Sequence, residues 1–177
     1  LSFSKVTLCL LQHEKRRRAT ISLHEAIKDV LTLIKPYLDL RRVTVRRELA
    51  AQRCSVLASQ AALESILANL LINSLQAFER NSPGERLVVF RTENLRDPRR
   101  QDKSLLRLVV SDNGPGIEKL NVNDVWLPGK TTTQEGTGLG LTIVKDVVTE
   151  LGGSVAALAQ GELGGAEFQI DLPARGG

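Results

Sequence analysis

Aromatic side chains are scarce in this chain, at 3% of residues, so it offers little of the ring-stacking surface on which single-stranded nucleic acids are held. Cysteine is scarcer still. Cys9 and Cys54 stand alone, with no C-x-x-C spacing and only His13 and His24 to join them. That argues against a disulfide framework or a zinc cluster and for two reduced, structural thiols. No apolar run approaches the roughly 20 residues that a bilayer-crossing helix needs, and the N-terminus lacks the basic, apolar, small-residue order of a signal peptide. The expected location of this segment is the cytoplasm. No motif repeats with a period of roughly 20 to 50 residues, so a solenoid or propeller is not expected.

What is present fits one folded unit. Hydrophobic residues make up 42% of the 177 and charged residues 25%, close to the averages of soluble globular domains. The formal charge of +4 is concentrated in Lys15, Arg16, Arg17 and Arg18 and in Arg41, Arg42, Arg46 and Arg47. Such clusters serve more often as solvated faces or interface rims than as nucleic-acid sites, and no nucleic-acid partner is expected.

Residues 1–20 read as a leading segment that begins inside an upstream element, because Leu1-Ser2-Phe3-Ser4 offers no start signal; residues 21–177 read as the domain. A helix is expected from Ser22, which with Glu25 forms a capping box ahead of the apolar face Leu23, Ile27, Val30, Leu31 and Ile34, and Pro36 should end or kink it. Val43 to Glu48 alternates like a strand, with Cys54 to Leu57 as a candidate short partner. A second helix begins near Ser59, its apolar positions Leu63, Ile66, Leu67, Leu70, Leu71, Ser74 and Phe78 recurring at helical spacing, with Asn81-Ser82-Pro83-Gly84 as its stop. Two strands, Arg86 to Thr92 and Leu105 to Ser111, flank a polar stretch, Glu93 to Ser104, read as an exposed loop. A third helix is expected from about Gly138 to Leu151, then strands near Ser154 to Ala159 and Glu167 to Leu172. Helices and strands mix without the regular alternation of a parallel sheet, which favours an α+β two-layer sandwich.

Three places carry candidate chemistry. On the second helix Asn69 and Asn73 stand four apart and share one face; a buried amide must be paired, and an amide oxygen can help coordinate Mg²⁺ while the metal bridges phosphates. Structural hydrogen bonding is the competing reading. Ser111-Asp112-Asn113-Gly114-Pro115-Gly116-Ile117 follows an apolar strand, so a carboxylate sits at a strand end where it can accept from an exocyclic amine such as that of adenine; a tight turn is the plainer alternative. Gly136-Thr137-Gly138-Leu139-Gly140-Leu141 runs into the third helix, whose free N–H groups suit phosphate oxygens. Gly129-Lys130-Thr131 imitates the end of a Walker A loop, but Asp124 stands where its first glycine belongs, and Leu141 replaces the third glycine of a dinucleotide fingerprint.

Taken in order, these elements resemble the GHKL superfamily, whose members include histidine kinases, DNA gyrase, mismatch-repair ATPases and the large heat-shock chaperone. The resemblance covers roughly Arg41 to Pro173. Leu67 to Ser74 is similar to the N box, Asp112 to Gly116 to the first glycine box, Gly136 to Leu141 to the second, and Asp124-Val125-Trp126-Leu127-Pro128-Gly129 to the F box with Trp126 for the usual Phe. Gly152-Gly153 and Gly164-Gly165 to Pro173 resemble the closing strands of the kinase branch.

The resemblance implies a Bergerat sandwich, a mixed sheet packed under three helices, with ATP between the N-box helix and a lid from Pro128 to Gly138. It implies Asn73 as a Mg²⁺ ligand with Asn69 near metal and phosphates, Asp112 on the adenine amino group, and Gly114 and Gly116 shaping the adenine pocket. Gly136, Gly138, Leu139 and Gly140 would wrap the phosphates, and Lys130 would reach the γ-phosphate from the lid. Hydrolytic members carry a Glu four residues before the metal-binding Asn as general base; Asn69 holds that place here and cannot take the proton. Glu64 would lie about 140° away around the helix. The resemblance therefore points to the catalytic domain of a bacterial sensor histidine kinase, using ATP and Mg²⁺ and acting on its own upstream dimerisation and phosphoacceptor domain, with a response regulator as partner. Membrane anchoring of the parent is left open. His13-Glu14 faintly echoes the phosphoacceptor motif but lies too close to the first helix, so the acceptor histidine is expected upstream. Ala166 replaces a threonine that often assists adenine binding in relatives, and Thr133 stands where many kinases have lysine. The alternatives are a degenerate nucleotide-binding scaffold or another member of the superfamily, an ATPase or a serine kinase.

Overall fold

The computed structural model describes residues 17–80, 84–98, 100–118, 121–129 and 139–175. Lys130, Thr133, Gly136 and Gly138, most of the expected lid, Cys9 and His13 lie outside the described residues.

The elements are β1 (Ala19–Ser22), α1 (Leu23–Leu40), β2 (Val43–Leu49), β3 (Ser55–Ala58), α2 (Gln60–Arg80), β4 (Arg86–Asp97), β5 (Arg100–Asp112), a 3₁₀ turn (Asp124–Trp126), α3 (Gly140–Glu150), β6 (Ser154–Leu158) and β7 (Glu167–Arg175). The seven strands form one sheet in the order β1-β3-β7-β5-β4-β2, with β6 added beside β7. Only the β2–β4 pairing is parallel, so the sheet is mixed. Among the described residues three helices pack on the sheet, giving the expected α+β sandwich.

Strand parity explains which side chains meet those helices. Leu106, Leu108 and Val110 of β5, Val88 and Phe90 of β4, and Phe168, Ile170 and Leu172 of β7 are all 1% exposed or less. Successive side chains point to opposite faces, so the outer face collects Arg107 and Asp171, joined by two hydrogen bonds of 2.7 and 2.8 Å. Asp112 keeps the parity of Leu106, Leu108 and Val110 and therefore points toward the helices from the end of β5. Helix α2 supplies the centre of the core with Leu63, Leu67, Leu70 and Leu71, each 0% exposed. By length and composition α2 could cross a membrane, but its apolar side chains are committed to this core.

Four sequence expectations are corrected. The stretch from Glu93 to Ser104 is a continuation of β4 and β5, paired as far as Asp97 with Arg100, and not a loop. Polar sequence does not forbid this, because an antiparallel pair can face water. Asn94 ties the arm down by bonding both ways with the Arg53 backbone, at 2.9 Å each. The short strand β3 pairs with β1 and β7, at the opposite side of the sheet from β2. Ala19 and Thr20, placed with the leading segment, belong to β1 and pair with Ala58 and Leu57. Of the two effects expected of Pro36, the ending of α1 is overturned, since the helix continues to Leu40. The start of α1 is as expected: Ser22 Oγ accepts from the Glu25 N–H at 3.3 Å.

Because Leu70 of α2 is fully buried in the core, Leu70→Ala should lower unfolding stability by about 2–5 kcal/mol. Urea titration followed by circular dichroism checks this; a loss under about 1 kcal/mol would mean that α2 is not the centre of the core.

Candidate nucleotide-binding site

The turn after β5 is built on Asp112 and its neighbours. Asn113 locks the turn to the start of β4: its Oδ1 accepts from the Leu87 N–H and its Nδ2 donates to the Glu85 carbonyl, both at 2.8 Å. Asp112 is 1% exposed. Its Oδ1 accepts from the Gly114 N–H at 2.9 Å and its Oδ2 from the Ser74 hydroxyl at 2.9 Å. The backbone is also held, Asp112 N–H donating to Ala166 and Asp112 O accepting from Gly165 at 3.0 and 3.1 Å. Burial pushes the Asp112 carboxyl above the usual carboxylate range, opposed in turn by the Gly114 and Ser74 donors, the Ala166 contact and the Arg80 charge.

The glycines here are required by space. At Gly165 a Cβ would run into the Asp112 carbonyl and carboxylate and, at 2.6 Å, the Gly114 nitrogen. Gly116 has φ +78°, and a Cβ there would strike the Ala159 carbonyl, so its part is to let this turn pass against the end of β6. Gly114 lies over Ala77 and Phe78 of α2, 3.3 and 3.6 Å from where its Cβ would be.

Asn69 and Asn73 lie on α2 as the spacing predicts, and their surroundings differ. Asn69 donates to the Ser65 carbonyl at 2.8 Å, and its Oδ1 lies 3.0 Å from where a Cβ on Gly140 would stand. Its amino group is thus spent locally while its oxygen faces the start of α3. Asn73 is half-buried and makes no hydrogen bond among the described residues. Glu64 is 9% exposed; its Oε1 accepts from Gln60 Nε2 at 3.0 Å, and its Oε2 is buried with no partner among the described residues.

Helix α3 begins with Leu139 in its N-cap position and no side-chain cap, so its first N–H groups have no intrahelical acceptor. This is an anion-binding geometry, and Gly140 keeps its approach beside Asn69 clear. Trp126 anchors the turn before it, 6% exposed and edge-on to Phe168 with ring centroids 5.8 Å apart. No cluster of three acidic, His or Cys groups that could hold a metal occurs among the described residues. A side-chain amide such as that of Asn73 could hold magnesium together with a ligand's phosphates and waters.

Two contributors were missed in the sequence. Ser74 looked like one more position on an apolar helix face, and Gly165 like part of a closing loop; each gains its meaning only from contact with Asp112.

With its proton-binding strengthened by folding, Asp112 should withdraw stability as pH rises from the ordinary carboxylate value through its own raised one, since the unfolded chain ionises first. Asp112→Asn should therefore gain on the wild type over that window. Urea unfolding of both proteins across pH 4 to 8 measures it; a wild type that gains on the variant as pH rises contradicts the burial argument.

Comparison with known proteins agrees with this geometry. Residues 58–176 match the family model described as histidine kinase-, DNA gyrase B- and HSP90-like ATPase. The sensor protein TdiS of Thauera aromatica is 28% identical over 156 residues, covering 88% of this chain and 27% of TdiS. The two-component sensor PprA of Pseudomonas aeruginosa is 35% identical over 152 residues, covering 85% and 16%. The chain thus spans about a quarter or less of these relatives. Among solved structures, the mycobacterial sensor histidine kinase MprB superposes with a TM-score of 0.69 at 25% identity, covering 89% of this chain and 99% of that one. The catalytic domain of histidine kinase ThkA shares the fold, with a TM-score of 0.73 at 23% identity and coverage of 89% and 96%. A strand-end carboxylate under an asparagine-bearing helix, facing an uncapped helix start, on a sheet of this order and in a sequence that matches over two-thirds of its length, places the chain in the histidine kinase-, DNA gyrase B- and HSP90-like ATPase family.

Proposed function

We propose that this domain binds ATP with Mg²⁺ and serves as the catalytic domain of a two-component sensor histidine kinase, passing the γ-phosphoryl group to a histidine on a phosphoacceptor domain of the full protein. The observation that carries the reading is the buried Asp112 carboxylate at the strand end. It can accept from the exocyclic amine of adenine, and the turn from Gly114 to Gly116 beside it would border the ring. From there the triphosphate would run toward Leu139 and Gly140 at the start of α3, and Gly136, Gly138 and Lys130 would complete the enclosure.

Asn73 and Asn69 stand four apart on α2, and the Asn69 Oδ1 lies beside Gly140; there Asn73 would hold Mg²⁺ and Asn69 would meet the phosphates. The ion would supply charge neutralisation for the transferring phosphoryl group. The rest of the work is positioning: Asp112 fixes the base, the α3 N–H groups fix phosphate oxygens, and Asn69 orients without removing a proton. Asn69 stands where a hydrolytic relative would need a carboxylate, and its amide cannot take a proton from water. That favours transfer to a protein acceptor over hydrolysis. The names of the relatives, sensor proteins and two-component sensors, support the same branch. A response regulator is the expected downstream partner, in keeping with the structure of ThkA in complex with the response regulator TrrA. We place the domain in the cytoplasm, where ATP is available, whether or not the full protein is anchored in a membrane.

Isothermal titration with ATP and Mg²⁺ should show one saturable site. Asp112→Asn and Asn73→Asp should each weaken it by about tenfold or more, the worth of one hydrogen bond to a charged group. Absence of heat in the wild type at saturating nucleotide would favour a degenerate scaffold, and rapid steady hydrolysis would favour an ATPase.

A further inference from the structure

Ser74 is a hydroxyl in the core that packing alone does not require. It follows Asn73 on α2 and is 0% exposed. Its Oγ lies 2.9 Å from Asp112 Oδ2, while the Gly114 N–H occupies Oδ1. An ionised carboxylate only accepts hydrogen bonds, so in that state Ser74 must be the donor. A protonated carboxyl would instead have an O–H of its own to place. The Ser74 contact therefore favours the ionised form, against the cost of burying the charge.

The other surroundings leave this task to few groups. From α2 the charge of Arg80 acts in the same direction as Ser74. From the loop before β7 come only the Gly165 and Ala166 backbones, and from the turn itself the Gly114 N–H. Among the described residues no other charged group is brought against this carboxyl.

We propose that Ser74 is a positioning residue that holds Asp112 as an acceptor-only carboxylate, and that this hydroxyl makes the pocket select adenine over guanine. The proposal rests on the reading of Asp112 as the purine-binding group. Adenine presents an amine at its six-position and guanine a carbonyl. An acceptor-only Asp112 attracts the first and repels the second, whereas a protonated Asp112 can donate to the carbonyl. The selectivity of the pocket is thus tied to the protonation state that Ser74 helps to fix.

Fluorescence titration of wild type, Ser74→Ala and Asp112→Asn with ATP and with GTP, each with Mg²⁺, between pH 5 and 8.5 tests it. Wild-type affinity for ATP should fall on acidification. Ser74→Ala should begin that fall about one pH unit higher, the shift expected from losing one hydrogen bond to a charged group. Its ATP affinity should approach wild type at the alkaline end, and its preference for ATP over GTP should drop about tenfold near pH 6. Asp112→Asn should show no such pH dependence, and Ser74→Ala added to it should change nothing further. If Ser74→Ala melts below the assay temperature, Ser74→Cys, with a weaker donor, should give an intermediate shift. A loss of ATP affinity equal at every pH, or unchanged selectivity, overturns the role of Ser74 while leaving the pocket intact. No ATP binding by the wild type overturns both.

Discussion

The function proposed for this domain depends on one buried carboxylate. Asp112 sits at the end of a central strand with its side chain in the helix-covered face, where water is excluded and a charge is costly. The fold meets that cost with local donors, one from the turn and one from α2, and with close backbone packing from the loop before β7. Burial makes the group a strong reader of a hydrogen-bond donor, because the same low dielectric that penalises the charge strengthens any contact made to it.

The scaffold can be understood as what brings those contacts together. Residues far apart in sequence converge on this carboxyl: Ser74 from α2, Gly114 from the turn, and Gly165 and Ala166 from the far end of the chain. The parity of β5 aims Asp112, the register between β5 and β7 brings residues 165 and 166 alongside, and the packing of α2 on the sheet delivers Ser74. The same helix carries Asn69 against the start of α3, so the two ends of the proposed site, for purine and for phosphates, are held by one rigid element. A rigid element is the kind of support that a positioning catalyst needs, since catalysis by orientation tolerates little slack.

Much of this was legible in the sequence. Helical spacing located α2, and the glycine-flanked Asp112 and the run into α3 showed two ends of a ligand site. Their order carried the family resemblance. The hairpin arm was not legible, because Glu93 to Ser104 has the polarity of a loop and its pairing is set by a register that begins in the apolar halves of β4 and β5. The partners of β3 were hidden for a related reason: four residues pair with whatever edges the tertiary fold presents, and here those are β1 and β7. Pro36 misled because the packing of α1 on the core, through Ile34, Tyr37 and Leu38, carries the helix past it. Ser74 and Gly165 were invisible as site residues because a contact between distant segments leaves no periodic trace.

The central claim is that the Asp112 carboxylate grips the base of a bound nucleotide. A crystal structure with a non-hydrolysable ATP analogue and Mg²⁺ tests it most directly. The account predicts the adenine amino group within hydrogen-bonding distance of Asp112, with the phosphates at the start of α3 and beside Asn73. An analogue bound elsewhere, or an adenine whose amine has no contact with Asp112, would contradict it.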